Sequence, residues 1–460
     1  MRDIAITLFV AGLLPLIIRR PEIGAYAWVW ISMMNPHKLA YGFAYSLPFA
    51  QAIAITTLIG FLFTRRRHNL PLNGGVVLLF LLILWMTLTS FFAINDSQLV
   101  WDRWLFVIKI HAMLFLTLLL LRERKQIDRL VWVVVVSIGF YGVKGGIYTI
   151  LKGGSGRVWG PPGGMLEENN ALAVALVLIL PLMYYLCHTA TRKVVRWGLV
   201  AAMVITAFSI LGSQSRGALL ALSAMAIALG FKSKRPARFL LILVVIAPLA
   251  FVFMPDSWTQ RMDTIQSYSD DASAMSRLYT WNTLWNVAVA RPLIGAGFAA
   301  DNQMVFSMFA PTDTRFDVFQ GTVWVAHSIY LQALGEHGFP GLFLFLAIWC
   351  WVWWAAGRAA KATDKIPELK DWAPLLMRMC QVSTLGFCVG GSFLSLMNLD
   401  VPYYLLAIVT LTLCAIKRES KSRRVARNEL NLGMYSAPPP EFDTKSRILP
   451  KFRPVTQWNQ

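Results

Sequence analysis

Residues 321–341 read GTVWVAHSIYLQALGEHGFPG and place one histidine, His327, just ahead of an apolar stretch. An imidazole with an ordinary pKa near 6.5 can take a proton close to neutrality, and a hydroxyl group is a poor nucleophile until its proton is taken. The polar stretch before it, from Pro255 to Ala326, is roughly 70 residues long, far more than an ordinary connection needs. Between Pro255 and Pro340 the chain keeps four arginines, Arg261, Arg277, Arg291 and Arg315, and no lysine. A guanidinium presents a planar fork that fits phosphate or carboxylate, so the bias points to anion binding. Pairing with Asp263, Asp270, Asp271 or Asp317 explains any one arginine more simply, and all four together less well. A second anion site is written in SQSRG, Ser213 to Gly217. Ser213 or Ser215 can cap a helix there, and its free amide groups, with Arg216, make the positive end of a helix dipole. Gly217 lets backbone approach closely. The simpler alternative is that Arg216 only reaches for a membrane interface.

The elements that must position these groups are helices in a membrane. Hydrophobic residues make up 57% of the 460, and apolar runs bounded by Arg and Lys recur along the chain. Such runs fall near residues 4–18, 23–35, 47–64, 75–94, 104–121, 129–151, 171–188, 195–212, 216–231, 238–254, 340–357, 375–396 and 401–416. The first two are short, so the expected fold is an all-α polytopic membrane protein with about twelve transmembrane helices. Its parts are N-terminal helices over 1–254, a loop domain over 255–339, C-terminal helices over 340–416, and a basic tail over 417–460 that reads as disordered. The net charge of +19 sits in short clusters between apolar runs, the mark of cytoplasmic loops and anionic-lipid contacts rather than of a nucleic-acid partner. From the third segment onward every second connection carries such a cluster, which puts the C-terminus inside and the connections holding Arg216, Arg277 and His327 outside. The apolar N-terminus, followed by Arg19 and Arg20, reads as a retained helix.

Other residues have competing readings. Glu167, Glu168, Asn169 and Asn170 precede an apolar run; capping explains one or two of them, which leaves Glu167 and Glu168 as partners for a sugar or an arginine. Lys109, His111 and Lys144 lie inside apolar segments, where an ionisable group is costly and usually faces a cavity; Lys144, in YGVKGG, could touch phosphate. Met275 to Ala290 spaces Leu278, Trp281, Leu284, Trp285 and Val289 as one face of an interfacial helix, its aromatics serving as anchors before stacking platforms. His337 reads as structural, and Gly338, Pro340 and Gly341 as a bend. Cys187, Cys350, Cys380, Cys388 and Cys414 show neither a disulfide pattern nor metal spacing, and no nucleotide loop or metal motif stands out, so no cofactor is expected.

The pattern H-[NSQ]-x9-G-x-x-G from His327 to Gly341, with SQSRG at 213–217 and SRLYTW followed by RPLIGAGF ending at Phe298, resembles the O-antigen ligase family of bacterial membrane glycosyltransferases over roughly residues 160–400. The N-terminal part, with MLEENNALA at 165–173, resembles the exosortase-associated O-glycosylation ligases of that family. The resemblance implies a C-type glycosyltransferase architecture in the inner membrane with its site facing the periplasm. It implies a glycan donor on undecaprenyl diphosphate, a sugar hydroxyl of lipid A core as acceptor, and inverting transfer without metal or nucleotide. In that scheme His327 is the base, Arg216 and Arg277 hold the diphosphate, Ser215 supports that anion site, and Arg261, Arg291 and Arg315 are reserve phosphate contacts. An O-antigen polymerase and a protein O-oligosaccharyltransferase share donor and fold. A lipid-linked oligosaccharide flippase would instead place its key charges mid-membrane.

Overall fold

Apolar runs become helices here, and many of those helices begin on a side chain that accepts from their first free amide groups. The computed structural model describes residues 1–65, 68–232 and 272–436. In chain order the helices are α1 (Arg2–Arg19), α2 (Pro21–Met34), α3 (Phe49–Phe63), α4 (Gly74–Ser90), α5 (Ser97–Leu120), α6 (Arg124–Leu151), α7 (Asn169–Thr189), α8 (Lys193–Gly212), α9 (Arg216–Lys232), α10 (Ala272–Ala290), α11 (Gln303–Phe309), α12 (Ile329–Thr363), α13 (Ala373–Gly390) and α14 (Asp400–Ser436). Asn73 caps α4, Asp96 caps α5, Asn302 caps α11 and Ser328 caps α12, while Glu123 and Gln126 form a reciprocal box at α6. Six helices, α5, α6, α7, α8, α12 and α14 as far as Arg423, are long and apolar enough to cross a bilayer; α3, α4 and α9 are shorter apolar helices. The chain is an all-α, multi-pass membrane protein. The expected run at 238–254 lies outside the described residues, as do Arg261, Asp263, Asp270 and Asp271.

The centre of the bundle is α7, whose spanning window is 89% buried. It packs against α6, α8, α9 and α13, while α12 lies between α4 and α13. Alternate connections gather at one end. There the backbone N–H of Val158 donates to Gly212 O (3.1 Å) and that of Ile94 to Ala296 O (2.7 Å). Asn169 Nδ2 donates to Ser213 O (2.7 Å), and the His327 N–H to Ser395 Oγ (2.8 Å). The basic connections meet at the other end, where Arg122 donates to Asn69 O (2.5 Å) and Arg124 lies over the Trp372 ring. Lys109 and Lys144 are exposed rather than turned to a cavity, whereas His111 is buried against Tyr403.

Three boundaries differ from expectation. α13 stops at Gly390, and residues 391–399 form a turn although their composition continues the apolar run. α14 carries on through the expected tail to Ser436, because Lys417 onward holds good helix formers and Arg423 pairs with Glu419 one turn back. α12 begins at Ile329, eleven residues before the apolar run expected from 340, and breaks at Gly338 (φ 67°, ψ −171°).

That break follows from Gly338 and Pro340 together. Pro340 has no N–H, so the carbonyl of Glu336 loses its intrahelical donor. The Gly297 N–H supplies one at 2.8 Å, the Ala296 N–H bonds Gly335 O at 2.7 Å, and the Phe339 N–H turns away to Pro292 O at 2.8 Å. Trp85 Nε1 donates to His337 O (2.9 Å), and Thr89 Oγ1 meets His337 Nδ1 (2.7 Å), which makes His337 a buried structural residue. The RPLIGAGF turn can reach these carbonyls because Gly295 and Gly297 take positive φ. A Cβ at Gly338 would lie 2.4 Å from Leu293 O in a backbone region open essentially to glycine. Gly338→Ala should therefore cost at least about 2 kcal/mol, read as a lower melting temperature of the purified protein in detergent.

Candidate active site at converging helix starts

α7, α9 and α12 all start at the end where the alternate connections gather, and an unfilled helix start offers amide donors and a partial positive charge. Ser215 caps α9, its Oγ accepting from the Ala218 N–H (3.2 Å), while Ser213 Oγ accepts from the Ser215 N–H (3.3 Å). The turn between them puts Gln214 at φ 56°, and both serines are buried, so Arg216 is delivered at the first helical position. A Cβ on Gly217 would sit 3.1 Å from Phe393, two residues before Ser395, so α9 and the 391–399 turn are in tight contact.

His327 sits in the left-handed region at φ 45°, where its N–H donates to Ser395 Oγ (2.8 Å). The carbonyl of the preceding residue, Ala326, accepts from Trp281 Nε1 (2.7 Å). Trp281 lies one turn beyond Arg277 on α10, so the bond that pins the histidine segment also brings the arginine's face of the helix to it. Glu168 approaches from the start of α7, where its carboxylate caps no amide but accepts from Asn170 Nδ2 (3.0 Å). Burial pushes the half-buried His327 imidazole below its ordinary value; the Arg277 guanidinium acts in the same direction, and the Glu168 carboxylate pulls it back up. An imidazole, a cation and an anion therefore act on one another here. Such a group can accept a proton, have the resulting imidazolium stabilised by the carboxylate, and share the site with an anion held by the arginine.

Other expected site residues are placed differently. Glu167 is exposed and folds its own loop, its Oε2 accepting from the Gly163 N–H (2.8 Å). The Lys144 side chain is exposed and makes no hydrogen bond or ion pair with a described residue. Arg315 is exposed and forks onto Asp313 Oδ2 (3.0 and 2.7 Å) beside the 3₁₀ turn at Thr314–Phe319. Arg291 lies fourteen residues after Arg277, roughly 20 Å along the axis of α10, and donates to Phe92 O (2.5 Å). It fastens the connection between α4 and α5 rather than sharing an anion with Arg277. Trp281 ties α10 to the histidine segment through its indole N–H. Ser395 lies inside what the sequence presents as an apolar run, so nothing in its local composition marks it.

Residues 201–346 match the family model described as O-antigen ligase. Over that stretch the chain is similar to the O-antigen ligase family. Residues 1–191 match a second model, a family of unknown function (DUF5935), and no curated protein matches the chain. The ligase segment carries Arg216, Arg277, His327 and the Gly338 break, whereas Glu168 comes from the other matched segment and Ser395 lies beyond both. The site is thus built jointly by the ligase segment and its neighbours.

The electrostatics give a signed prediction. If neutral His327 is the working group, activity falls as pH drops through its lowered pKa. Glu168→Gln removes the charge that raises that pKa, so the acid limb of the kcat/KM profile should move to lower pH. Arg277→Gln should move the residual activity's limb to higher pH. Unmoved limbs in both variants would separate these charges from the titrating group.

Proposed function

We propose that the chain is an O-antigen ligase that transfers a glycan from undecaprenyl diphosphate to a sugar hydroxyl of the lipid A core. The reading rests on the family match and, above all, on one observation: Arg277 and Glu168 both act on a half-buried histidine held between α10 and the 391–399 turn. In this scheme the diphosphate lies against Arg277 and the start of α9, with Arg216. His327 takes the proton of the acceptor hydroxyl as that oxygen bonds to the anomeric carbon. The bond from that carbon to the diphosphate oxygen breaks on the opposite face, so the configuration inverts and the lipid diphosphate leaves with the electron pair. The charge that grows on the leaving group is offset by the two guanidinium groups, and no step calls for a nucleotide or a metal.

The basic connections would lie in the cytoplasm and the site on the periplasmic side of the inner membrane. About twelve spanning helices in a C-type glycosyltransferase arrangement, with the loop domain over the site, fit that reading. The acceptor distinguishes a ligase from a polymerase or a protein O-oligosaccharyltransferase: lipid A core, a second O-antigen repeat, or a protein side chain.

Purified protein incubated with lipid-linked glycan and rough lipopolysaccharide should produce a glycan ladder on a gel. His327→Ala should abolish the ladder while membrane insertion is kept, and Arg315→Ala, on an exposed local ion pair, should leave it unchanged. Consumption of donor only with a repeat-unit or protein acceptor would name one of the related transferases. Movement of intact donor across vesicles without transfer would make the chain a flippase.

A further inference from the structure

Beside His327 lies a cavity of about 240 Å³, opening between α5, α10 and α12. Its walls come from the same elements that meet at the histidine: Thr280 is one turn from Arg277, Ala326 precedes His327, and Ser395 accepts the His327 N–H. The chemistry of the cavity differs from that of the arginine side. Glu336 is 6% exposed on its wall; the Ala299 N–H donates to its carboxyl group, and the nearest side-chain donor, Gln332 Nε2, is 3.5 Å away. Gln332 is itself aimed by accepting the Met397 N–H (3.2 Å). Asn398, 8% exposed on the same wall, has a side-chain carbonyl with no hydrogen-bond partner among the described residues. Ala299, also on the wall, holds φ 56°, a conformation that residues with a side chain adopt only uncommonly.

A carboxyl group keeps spare acceptor capacity whether or not it carries a proton, and Gln332 and the Ala299 N–H fill only part of it. Glu336 and Asn398 leave acceptor capacity facing or adjoining a space of sugar-ring size, and Trp324 supplies an aromatic wall. Asp301 and Arg103 stand exposed beside it, one acid against one base, so the cavity offers no cluster of cations to a diphosphate. Groups that donate hydrogen bonds without carrying negative charge are what it lacks, and the hydroxyls of a neutral sugar are such groups. We infer that this cavity is the acceptor subsite: it seats a sugar ring of the acceptor through hydroxyl donors to Glu336 and Asn398 and the face of Trp324, and so delivers one hydroxyl to His327. The inference rests on the transferase reading for the identity of the acceptor; the recognition of a sugar rests on the cavity.

The test uses full-length protein in detergent, with core oligosaccharide released from rough lipopolysaccharide by mild acid as a binding probe, measured by calorimetry. Glu336→Gln keeps shape, and Trp324→Phe changes a half-exposed ring, so both variants should fold with melting temperatures near that of the parent. Each is expected to weaken oligosaccharide binding and raise the acceptor KM at least about tenfold, with a smaller change in kcat and an unchanged donor KM. Unchanged binding and acceptor KM in folded variants, or a rise in donor KM instead, would overturn the assignment. If the parent binds the oligosaccharide in a Glu336-dependent way but transfers nothing, the cavity stands and the transferase reading fails.

Discussion

The interrupted helix α12 is the constraint on which the site depends. Inside a bilayer a carbonyl without a donor costs several kcal/mol, so a helix that breaks at Gly338 and lacks an N–H at Pro340 must find replacements nearby. It finds them in the amides of Ala296 and Gly297 and in the indole of Trp85. The turn that supplies those amides directly follows α10, so the satisfaction of two helix carbonyls fixes where α10 ends. Trp281 then fixes its other half against Ala326. Two sequence elements separated by some thirty residues are thereby one structural unit, and Arg277 reaches His327 as a consequence of backbone accounting.

The same site concentrates backbone strain. Four non-glycine residues in the described chain take positive φ: Asn35, which ends α2, and Gln214, Ala299 and His327, which border the anion site, the cavity and the base. Each such conformation costs of order 1–3 kcal/mol and persists only where surrounding bonds over-determine it. At His327 those bonds are identifiable, Ser395 on one side and Trp281 on the other. The strain therefore holds an imidazole in a fixed place between charges of opposite sign, which is what a base needs if its proton affinity is to differ between empty and loaded states.

Much of this arrangement is legible in the sequence. Apolar runs and basic clusters located the helices and the alternation of their connections, since length and charge are properties of composition. His327, Arg216 and Arg277 stood out because their types were unusual for where they lay. The capping of α9 by Ser215 and the bend at Gly338 could be read from local backbone chemistry. What stayed hidden depended on partners distant in sequence. Nothing local says that Arg291 is held by Phe92 O, that Glu168 faces a histidine 159 positions later, or that Ser395 interrupts an apolar run to accept that histidine's amide. Glu336 escaped for a related reason: one acid in a helix wall acquires meaning only when a cavity opens beside it.

On the proposed reading, the division of charge also orders the events. Arg277 holds the His327 proton affinity down while the site is empty, and Glu168 opposes it. A bound diphosphate would cancel most of the guanidinium's repulsion and leave the carboxylate's attraction, so the imidazole would become a better base only once donor is present. An acceptor resting in the cavity would meet a weak base until then, which disfavours proton removal with no glycan to receive the oxygen. The separation of the arginine side from the cavity thus does more than seat two substrates apart. It ties the readiness of the base to occupancy of the anion site, through the one charge that both share.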